Sequence, residues 1–320
     1  MQKYIVKRSE SGQSLEKYIK KTYQDVPLSI IYKLFRKKDI KVNGHWEDTK
    51  YIVKEDDNID VYLKDEVLDS FRKETIIKPN DEIKDLIVYE DDNILIVNKP
   101  RGLLVQADKN NHDSLDRKVL SYLVFKGEYD PSKDNAFTPG PAHRLDRNTS
   151  GLVIFGKNIA SLQYLFEILK NHELIEKHYY TLVKGIVEED GEVNAPLLKD
   201  EESGLVKVAS VKAGAKKAIT KYHVVKRFDN YTLLDVTLVT GRTHQIRAHM
   251  SFINHPIIGD NKYGDFKENK IFKDLYGFNN QFLEAYRLDF LNLDNPLKNI
   301  SNKSFIIDLS KELSDVLNRL

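Results

Sequence analysis

The sequence contains no cysteine among its 320 residues. Without a thiol the chain can form no disulfide, no thiolate zinc site and no cysteine nucleophile. RNA methylation at C5 of uridine usually relies on a cysteine that attacks the base. The missing cysteine therefore argues against a methyltransferase of that kind.

Long apolar runs are also missing, since no stretch approaches the roughly 20 residues that a membrane-spanning helix needs. The start, MQKYIVKRSE, holds no apolar signal segment. We therefore expect a cytoplasmic protein without a membrane partner. Neither sign of charge is in excess, because 50 Lys and Arg residues face 49 Asp and Glu residues, a net charge of +1. The net charge thus gives no indication of nucleic acid.

The distribution of charge along the chain is uneven. Residues 1–64 hold 14 Lys and Arg against 10 Asp and Glu, a local charge of +4. Residues 65–92 hold 4 against 10, a local charge of −6. A basic module followed by an acidic connector predicts two functional parts, and a chain of this length has room for two domains.

The segment PAHRLDRNTSGLVIFGKN, residues 141–158, carries the main candidate for chemistry. Asp146 stands between Arg144 and Arg147, ahead of an apolar strand. Two guanidinium groups close to a carboxylate favour its ionised form, and an ionised, positioned aspartate can act as a nucleophile. On these residues alone, a solvated turn with weak surface ion pairs is the more common structure.

A protein-kinase catalytic loop also places an aspartate after His-Arg, but this chain departs from that pattern. Leu145 separates Arg144 from Asp146, and the sequence has no glycine-rich phosphate loop upstream. The kinase alternative is therefore set aside.

The string HRLDxxTSG followed by an apolar strand resembles the signature of the RluA family of pseudouridine synthases. The resemblance implies that Asp146 is the catalytic nucleophile on a uridine of RNA and that no cofactor is required. It also implies that Arg144 fills the gap left when the uridine is flipped out. Two further segments, NKPRGLLV and HPIIGDNKYGD, resemble family motifs that shape the cleft.

Two other segments extend the resemblance to nearly the whole chain. LIEKHYYTLVKG resembles the family motif KxYxAxVxG, which implies that Tyr179 stacks on the target base. Tyr180 lies on the opposite face of the strand, so one of the two tyrosines is expected to be structural, and a core tyrosine is the more common case for any single tyrosine in a strand. TGRTHQIRAH resembles the motif whose arginine pairs with the nucleophile; its register implies Arg247, with Arg242 as the second candidate.

The N-terminal pattern predicts two helices and a hairpin. Ser14 suits a helix cap, Pro27 suits the first turn of a second helix, and Val42-Asn43-Gly44 suits a tight turn. This pattern resembles the S4 RNA-binding domain, although for an isolated run of lysines a solvated helix face is the more common explanation. The RNA contacts implied by both resemblances are Lys33, Arg36, Lys37, Lys38, Lys41, His143, Arg144 and Arg242.

Local patterns predict further helices and turns. Two apolar stripes at helical spacing are expected to be buried, and these are Leu28, Ile31, Leu34 and Phe35, and Leu162, Leu165, Phe166 and Leu169. Asn158 is expected to cap the helix with the second stripe, and Thr243 the helix that follows Gly241. Turns between pairs of strands are expected at residues 91–93 and 228–230.

These observations predict an α+β protein in two parts. We expect an S4-like module at residues 1–64, a linker at 65–80 and a catalytic domain at 81–320 with a mixed, largely antiparallel sheet flanked by helices. A monomer is the default. Within the family, the basic module and the NKYGD segment resemble members that act on 23S rRNA of the large ribosomal subunit.

Two rival functions follow from the same residues. The first is a non-catalytic RNA-binding or ribosome-assembly factor, which would require a broken active site. The second is a metal-dependent hydrolase using His143, Asp146, His244 and His249. On a helix, two residues five apart lie roughly 140° apart around the axis, whereas two histidine zinc ligands on one helix have the i, i+4 spacing. The spacing of His244 and His249 therefore argues against a metal site.

Overall fold

The computed structural model describes residues 1–64, 67–68, 71, 77–108, 113–131, 136–171 and 174–320. The strands are β1 Gln2–Ile5, β2 Ile40–Val42, β3 Asn58–Val61, β4 Ile87–Glu90, β5 Ile94–Lys99, β6 Gly140–Pro141, β7 Ser150–Gly156, β8 Ile175–Lys184, β9 Gly191–Asn194, β10 Leu197–Lys199, β11 Val206–Val208, β12 Ile219–Arg227, β13 Tyr231–Leu238, β14 Leu283–Phe290 and β15 Ser304–Ile306. The α-helices are α1 Leu15–Thr22, α2 Leu28–Lys37, α3 Leu115–Phe125, α4 Ile159–Asn171, α5 Gln245–Phe252, α6 Phe266–Tyr276 and α7 Lys311–Asn318.

The chain divides into two compact units. The first unit is Met1–Ile96, Gln106–His143 and Ile154–Glu167; the second unit is Val97–Val105, Arg144–Val153 and Ile168–Leu320. The predicted linker at residues 65–80 lies partly outside the described residues. The predicted domain limits of 1–64 and 81–320 stay a prediction.

Two helices of the first unit form as their apolar spacing predicts. Ser14 accepts a hydrogen bond from the Lys17 backbone at 3.3 Å and so caps α1. Helix α2 begins at Leu28, so Pro27 is its N-cap and precedes the first turn in which it was predicted to lie. The prediction of a buried stripe on α2 is wrong at Leu28, which is 54% exposed. Leu28 is the first residue of the helix and lies one turn before Ile31, where the packed face begins.

A three-stranded sheet in the order β1-β3-β2 accompanies these helices. The predicted turn after Val42 is confirmed: Asn43 and Gly44 both have positive φ angles, of 50° and 81°. The Asn43 side chain donates to Asp57 at 2.8 Å and accepts from the Asn58 backbone at 2.9 Å, so the turn is tied to the start of β3. The S4 resemblance itself stays a prediction.

The second unit contains a mixed, largely antiparallel sheet, as predicted. Its strands follow the order β7-β14-β8-β13-β12-β9, and β15 pairs with β14. Only the pairing of β7 with β14 is parallel among these. At that contact Gly151 has a φ of 114°, and a Cβ there would lie 2.2 Å from the Ala285 carbonyl oxygen. A residue with a side chain would therefore force β7 and β14 apart immediately after the Asp146 loop.

Three more predictions concern the first unit. Strands β4 and β5 flank the predicted turn, in which Asp91 Oδ1 accepts from the backbone of Asn93 at 2.7 Å. Asn158 accepts from the Ser161 backbone at 2.9 Å and caps α4, as predicted. Phe166, assigned to the buried stripe of α4, is 50% exposed, so that assignment is wrong.

Within the described residues no helix has the length and apolarity to cross a membrane.

Candidate active site

The loop that carries Asp146 is fixed by contacts within the second unit. The Asp146 carbonyl accepts from the Thr149 backbone at 3.1 Å, which closes a turn. The Arg147 carbonyl accepts from the Gly102 backbone at 2.9 Å and from Lys99 Nζ at 3.1 Å. The segment containing Lys99 and Gly102 therefore holds the loop by its main chain and leaves the Asp146 side chain free to face the pocket.

Arg247, on helix α5, bridges two carboxylates. Its Nη1 donates to Asp146 Oδ2 at 2.8 Å, and its Nε and Nη2 donate to the two oxygens of Asp260 at 2.6 and 2.8 Å. Asp260 is fully buried and also accepts from the backbones of Lys262 and Tyr263. The planar fork of Arg247 is thus held in one orientation, with one N–H aimed at Asp146.

Arg247 and Asp260 stabilise each other's charged form. Burial alone would lower the pKa of Arg247, but hydrogen bonds and charge from Asp260, together with Asp146, raise it above its ordinary value. Burial alone would raise the pKa of Asp260, but Arg247 and the two backbone donors lower it. Arg247 therefore stays cationic beside Asp146. Asp260 was not predicted from the sequence, although it lies in the segment HPIIGDNKYGD that was assigned to the cleft.

The arginines that flank Asp146 in the sequence are not its ion partners in the described part of the chain. Arg147 donates its Nε to the Gly102 carbonyl at 2.9 Å. Arg144 is exposed and lines the pocket. The prediction that both flanking guanidinium groups hold the Asp146 carboxylate is wrong, because the arginine bonded to this carboxylate is Arg247, from α5.

Tyr179 and Tyr180 face opposite sides of strand β8. Tyr179 is 5% exposed and borders the pocket, and burial together with the nearby Asp146 raises the pKa of its hydroxyl. Tyr180 stacks on Tyr286 with ring centroids 3.8 Å apart. Tyr180 thus has a packing partner, whereas the ring of Tyr179 is available at the pocket.

The pocket in the second unit has a volume of about 380 Å³, part of it open to solvent. Its lining residues are Arg144, Leu145, Asp146, Thr149, Tyr179, Leu238, Arg242, His244, Gln245, Ile246, Arg247 and Leu283.

Two other predicted residues have different surroundings. Arg242 is exposed at the pocket and donates its Nε to the Lys217 carbonyl at 3.0 Å, so the arginine bonded to Asp146 is Arg247. His143 belongs to the first unit, where its Nε2 accepts from the Ile154 backbone at 3.3 Å. The predicted cap of α5 at Thr243 is wrong: the N-cap is the following residue, which has a left-handed backbone.

The geometry disfavours the metal-dependent hydrolase. His249 is fully buried, and its two ring nitrogens lie 2.9 Å from Thr220 Oγ1 and from the Ala195 carbonyl. It therefore cannot share an ion with Asp146. In the described residues the one group close enough to share an ion is Glu176, His178 and Asp289, and none of these lines the pocket.

Lys177 is buried, so we expect the stability of the protein to depend on pH. Burial lowers its pKa to about 8, from an ordinary value of 10.5. Between these two values the unfolded chain binds more protons than the folded chain, so the free energy of unfolding rises with pH. We expect Lys177→Met to raise the free energy of unfolding at pH 7 by on the order of 3 kcal/mol, and by much less at pH 10.

Urea unfolding at both pH values measures this effect. Burial and the neighbouring Arg101 lower the pKa of Lys99 to about 7. Lys99 therefore makes its own contribution to the rise of the unfolding free energy with pH, and Lys177→Met retains that contribution. Exposed Lys221 provides the control substitution, Lys221→Met. An equal stability change at the two pH values would contradict the assignment of a desolvated ammonium at position 177.

Comparisons with known proteins identify the family of the chain. Residues 93–252 match the family model described as RNA pseudouridylate synthase. The chain is 37% identical over 96% of its length to an uncharacterized RNA pseudouridine synthase of Mycoplasma capricolum, covering 97% of that protein. It is 31% identical over 88% of its length to ribosomal large subunit pseudouridine synthase C of Vibrio vulnificus, covering 85% of that protein.

Two further matches concern a D-type relative and the fold. The chain is 32% identical over 97% of its length to ribosomal large subunit pseudouridine synthase D of Buchnera aphidicola, covering 95% of that protein. The solved structure of human RNA pseudouridylate synthase domain containing 4 matches with a TM-score of 0.59 at 22% identity, over 75% of this chain and 94% of the human chain. That structural likeness supports the fold alone. The family match and the relatives together confirm the sequence resemblance: the chain belongs to the RNA pseudouridylate synthase family.

Proposed function

We propose that this chain isomerises specific uridines of large-subunit ribosomal RNA to pseudouridine, with Asp146 as the nucleophile. One observation carries the assignment of the nucleophile: Asp146 lies in a pocket beside Tyr179, bonded to an arginine that buried Asp260 holds in place. This arrangement keeps one carboxylate oxygen in contact with a fixed cation. It also disfavours a non-catalytic RNA-binding or ribosome-assembly factor, which has no use for such a site.

The reaction matches what these residues offer. The bond between N1 of uracil and C1′ of the sugar breaks, the base turns, and C5 bonds to C1′; C5 then loses its proton and N1 gains one. No other atoms enter or leave, so the chemistry needs no cofactor. Asp146 reacts covalently at the sugar C1′ or at the base, and Arg247 holds its carboxylate in a hydrogen-bonded ion pair.

The target uridine must leave its stack before it can enter the pocket, at a cost of a few kcal/mol. The ring of Tyr179 offers one face for the flipped base, and base stacking on an aromatic ring contributes roughly 1–3 kcal/mol. Exposed Arg144 is suited to occupy the vacated space, because its planar guanidinium stacks and hydrogen-bonds. We propose Arg242, at the pocket, and His143 as further RNA contacts.

Relatives named as large-subunit synthases of types C and D support the choice of 23S rRNA. We propose type C specificity, with type D as the alternative. A soluble monomer in the cytoplasm is the corresponding proposal for state and location, since ribosomal RNA is the substrate.

The test of this function is a map of pseudouridines in large-subunit rRNA from a deletion strain, by carbodiimide modification and primer extension. We expect one or a few sites to disappear and to return when the wild-type gene is supplied. An unchanged map in the deletion strain would contradict the proposal.

We propose that residues 1–64 dock RNA through its phosphates. Lys33, Arg36, Lys37 and Lys38 are exposed, and Lys41 is half-buried. Two exposed aromatic rings accompany them: Lys38 Nζ lies 4.9 Å from the centroid of Trp46, and Lys41 Nζ lies 5.4 Å from that of Tyr62. Cations interleaved with rings suit a nucleic-acid backbone and its unpaired bases.

The salt dependence of RNA binding tests this docking surface. We expect the triple substitution Lys33→Gln, Arg36→Gln and Lys37→Gln to reduce the slope of log affinity against log salt by roughly 2–3. The matched control removes three exposed lysines of helix α6, and these are Lys267, Lys270 and Lys273. An equal loss of slope in both triple variants would contradict a specific docking surface.

A further inference from the structure

His244 has an uncommon backbone conformation for a residue other than glycine. Its φ is 50° and its ψ is 21°, in the left-handed region, immediately before helix α5. Such a conformation costs on the order of 1 kcal/mol or more and persists only when its surroundings fix it. Here the Gln245 side chain accepts from Thr240 Oγ1 at 2.7 Å and from the Arg242 backbone at 3.0 Å, and so binds together both sides of the bend.

The bend places the His244 imidazole between Tyr263 and Asp146. Its Nδ1 lies 2.9 Å from the Tyr263 hydroxyl, and its Nε2 lies 3.9 Å from Asp146 Oδ2. The ring of Tyr263 also lies 5.1 Å from the guanidinium carbon of Arg247. One tyrosine therefore contacts both groups that flank the candidate nucleophile.

The hydrogen bonds around Tyr263 favour one position for the proton on the His244 ring. The Tyr263 hydroxyl accepts from the Val206 backbone at 2.8 Å, so its single proton is free to be donated to Nδ1. With Nδ1 as an acceptor, the ring proton resides on Nε2, the nitrogen that faces Asp146.

Burial of the ring favours its neutral form. Burial is the main cause that lowers the pKa of His244; Asp146 opposes the shift, Arg247 and Lys262 add to it, and Asp260 opposes it. The imidazole is thus uncharged at neutral pH and has one N–H to donate.

Both neighbours of Asp146 approach the same oxygen. Arg247 bonds to Oδ2, and the nearest carboxylate oxygen to His244 Nε2 is again Oδ2. In the described residues Arg247 is the charged partner of Oδ2, and neutral His244 is a neighbour of the same oxygen. Neither of them engages Oδ1.

We propose that His244, held by Tyr263 as the neutral Nε2–H tautomer, is a positioning residue that fixes Asp146 Oδ2 together with Arg247 and leaves Oδ1 to bond to the substrate. The inference rests on the proposed function. The distance of 3.9 Å is longer than a hydrogen bond, so the proposal requires His244 and Asp146 to approach each other when RNA binds.

A matched pair of amides tests the proposal. His244→Asn tolerates a left-handed backbone, but its amide ends near the position of Nδ1 and faces Tyr263. His244→Gln is one methylene longer and carries its N–H towards the position of Nε2. We expect kcat to fall about 10- to 100-fold in His244→Asn and only about threefold in His244→Gln, with KM for RNA unchanged in both.

Tyr263→Phe supplies a second, independent measurement, because it leaves His244 in place and removes the control over its tautomer. We expect an about tenfold lower kcat and a changed acid limb of its pH profile, with thermal melting used to verify the fold. Equal rates for His244→Asn and the wild type, or equal losses for the Asn and Gln variants, would overturn the proposal. If Asp146→Asn is also active, the proposed function fails as well; if only Asp146→Asn is inactive, this inference fails alone.

Discussion

Replacing Asp146 by asparagine is expected to abolish pseudouridine formation while the protein still folds and binds RNA. The amide has the size of the carboxylate, and the Asp146 side chain is 27% exposed, so no buried charge is lost. Arg247 keeps its two bonds to Asp260 in the variant. An amide is a poor nucleophile, so the covalent step has no substitute.

The measurement for Asp146→Asn is complementation of a deletion strain, followed by carbodiimide mapping of its rRNA, with RNA affinity measured on the purified variant. Exposed Asp229, in the turn between β12 and β13, provides the control substitution Asp229→Asn, which should restore the full map. Restoration of a tenth or more of the wild-type pseudouridine by Asp146→Asn would refute the nucleophile assignment.

Arg247→Lys is expected to lose most turnover with little change in RNA affinity. A lysine ammonium is a single point charge and cannot reproduce the planar fork that reaches Asp146 and both oxygens of Asp260. One carboxylate loses its partner whichever way the lysine turns. We expect kcat to fall by roughly 10²–10³ and the free energy of unfolding to fall by a few kcal/mol, because Asp260 is fully buried.

Single-turnover kinetics at saturating RNA measure the Arg247→Lys effect per folded enzyme. Arg242→Lys is the matched control, since Arg242 borders the same pocket but bonds to a backbone carbonyl. We expect that control to act mainly on KM. A larger loss of kcat in Arg242→Lys than in Arg247→Lys would reverse the two assignments.

Local patterns in the sequence predicted local structure well. Helix α1 forms where Leu15, Tyr18 and Ile19 share a face after a serine cap. Strands β12 and β13 pair on either side of the predicted turn at residues 228–230. The failures lie at helix ends and exposed faces, as at Leu28 and Phe166, because periodicity alone does not specify which turns of a helix meet the core.

The site itself depends on contacts that spacing does not encode. Asp146 and Arg247 are 101 positions apart, and only the motif resemblance suggested their pairing. The flanking arginines were the obvious ion partners by proximity in the sequence, yet the arginine bonded to Asp146 comes from helix α5. Asp260, which orients Arg247, gave no local signal beyond its place in a resembling segment, since a fully buried carboxylate is recognised by its partner in space.

The most direct test uses large-subunit RNA labelled with tritium at C5 of uridine, because bonding of C5 to the sugar releases that hydrogen to water. Purified wild-type protein and Asp146→Asn are incubated with this RNA in excess EDTA. We expect the wild type to release tritium in proportion to the pseudouridine formed and the variant to release none. Tritium release by the variant at a tenth of the wild-type rate or more, or loss of wild-type activity in EDTA, would contradict a mechanism in which Asp146 alone supplies the nucleophile.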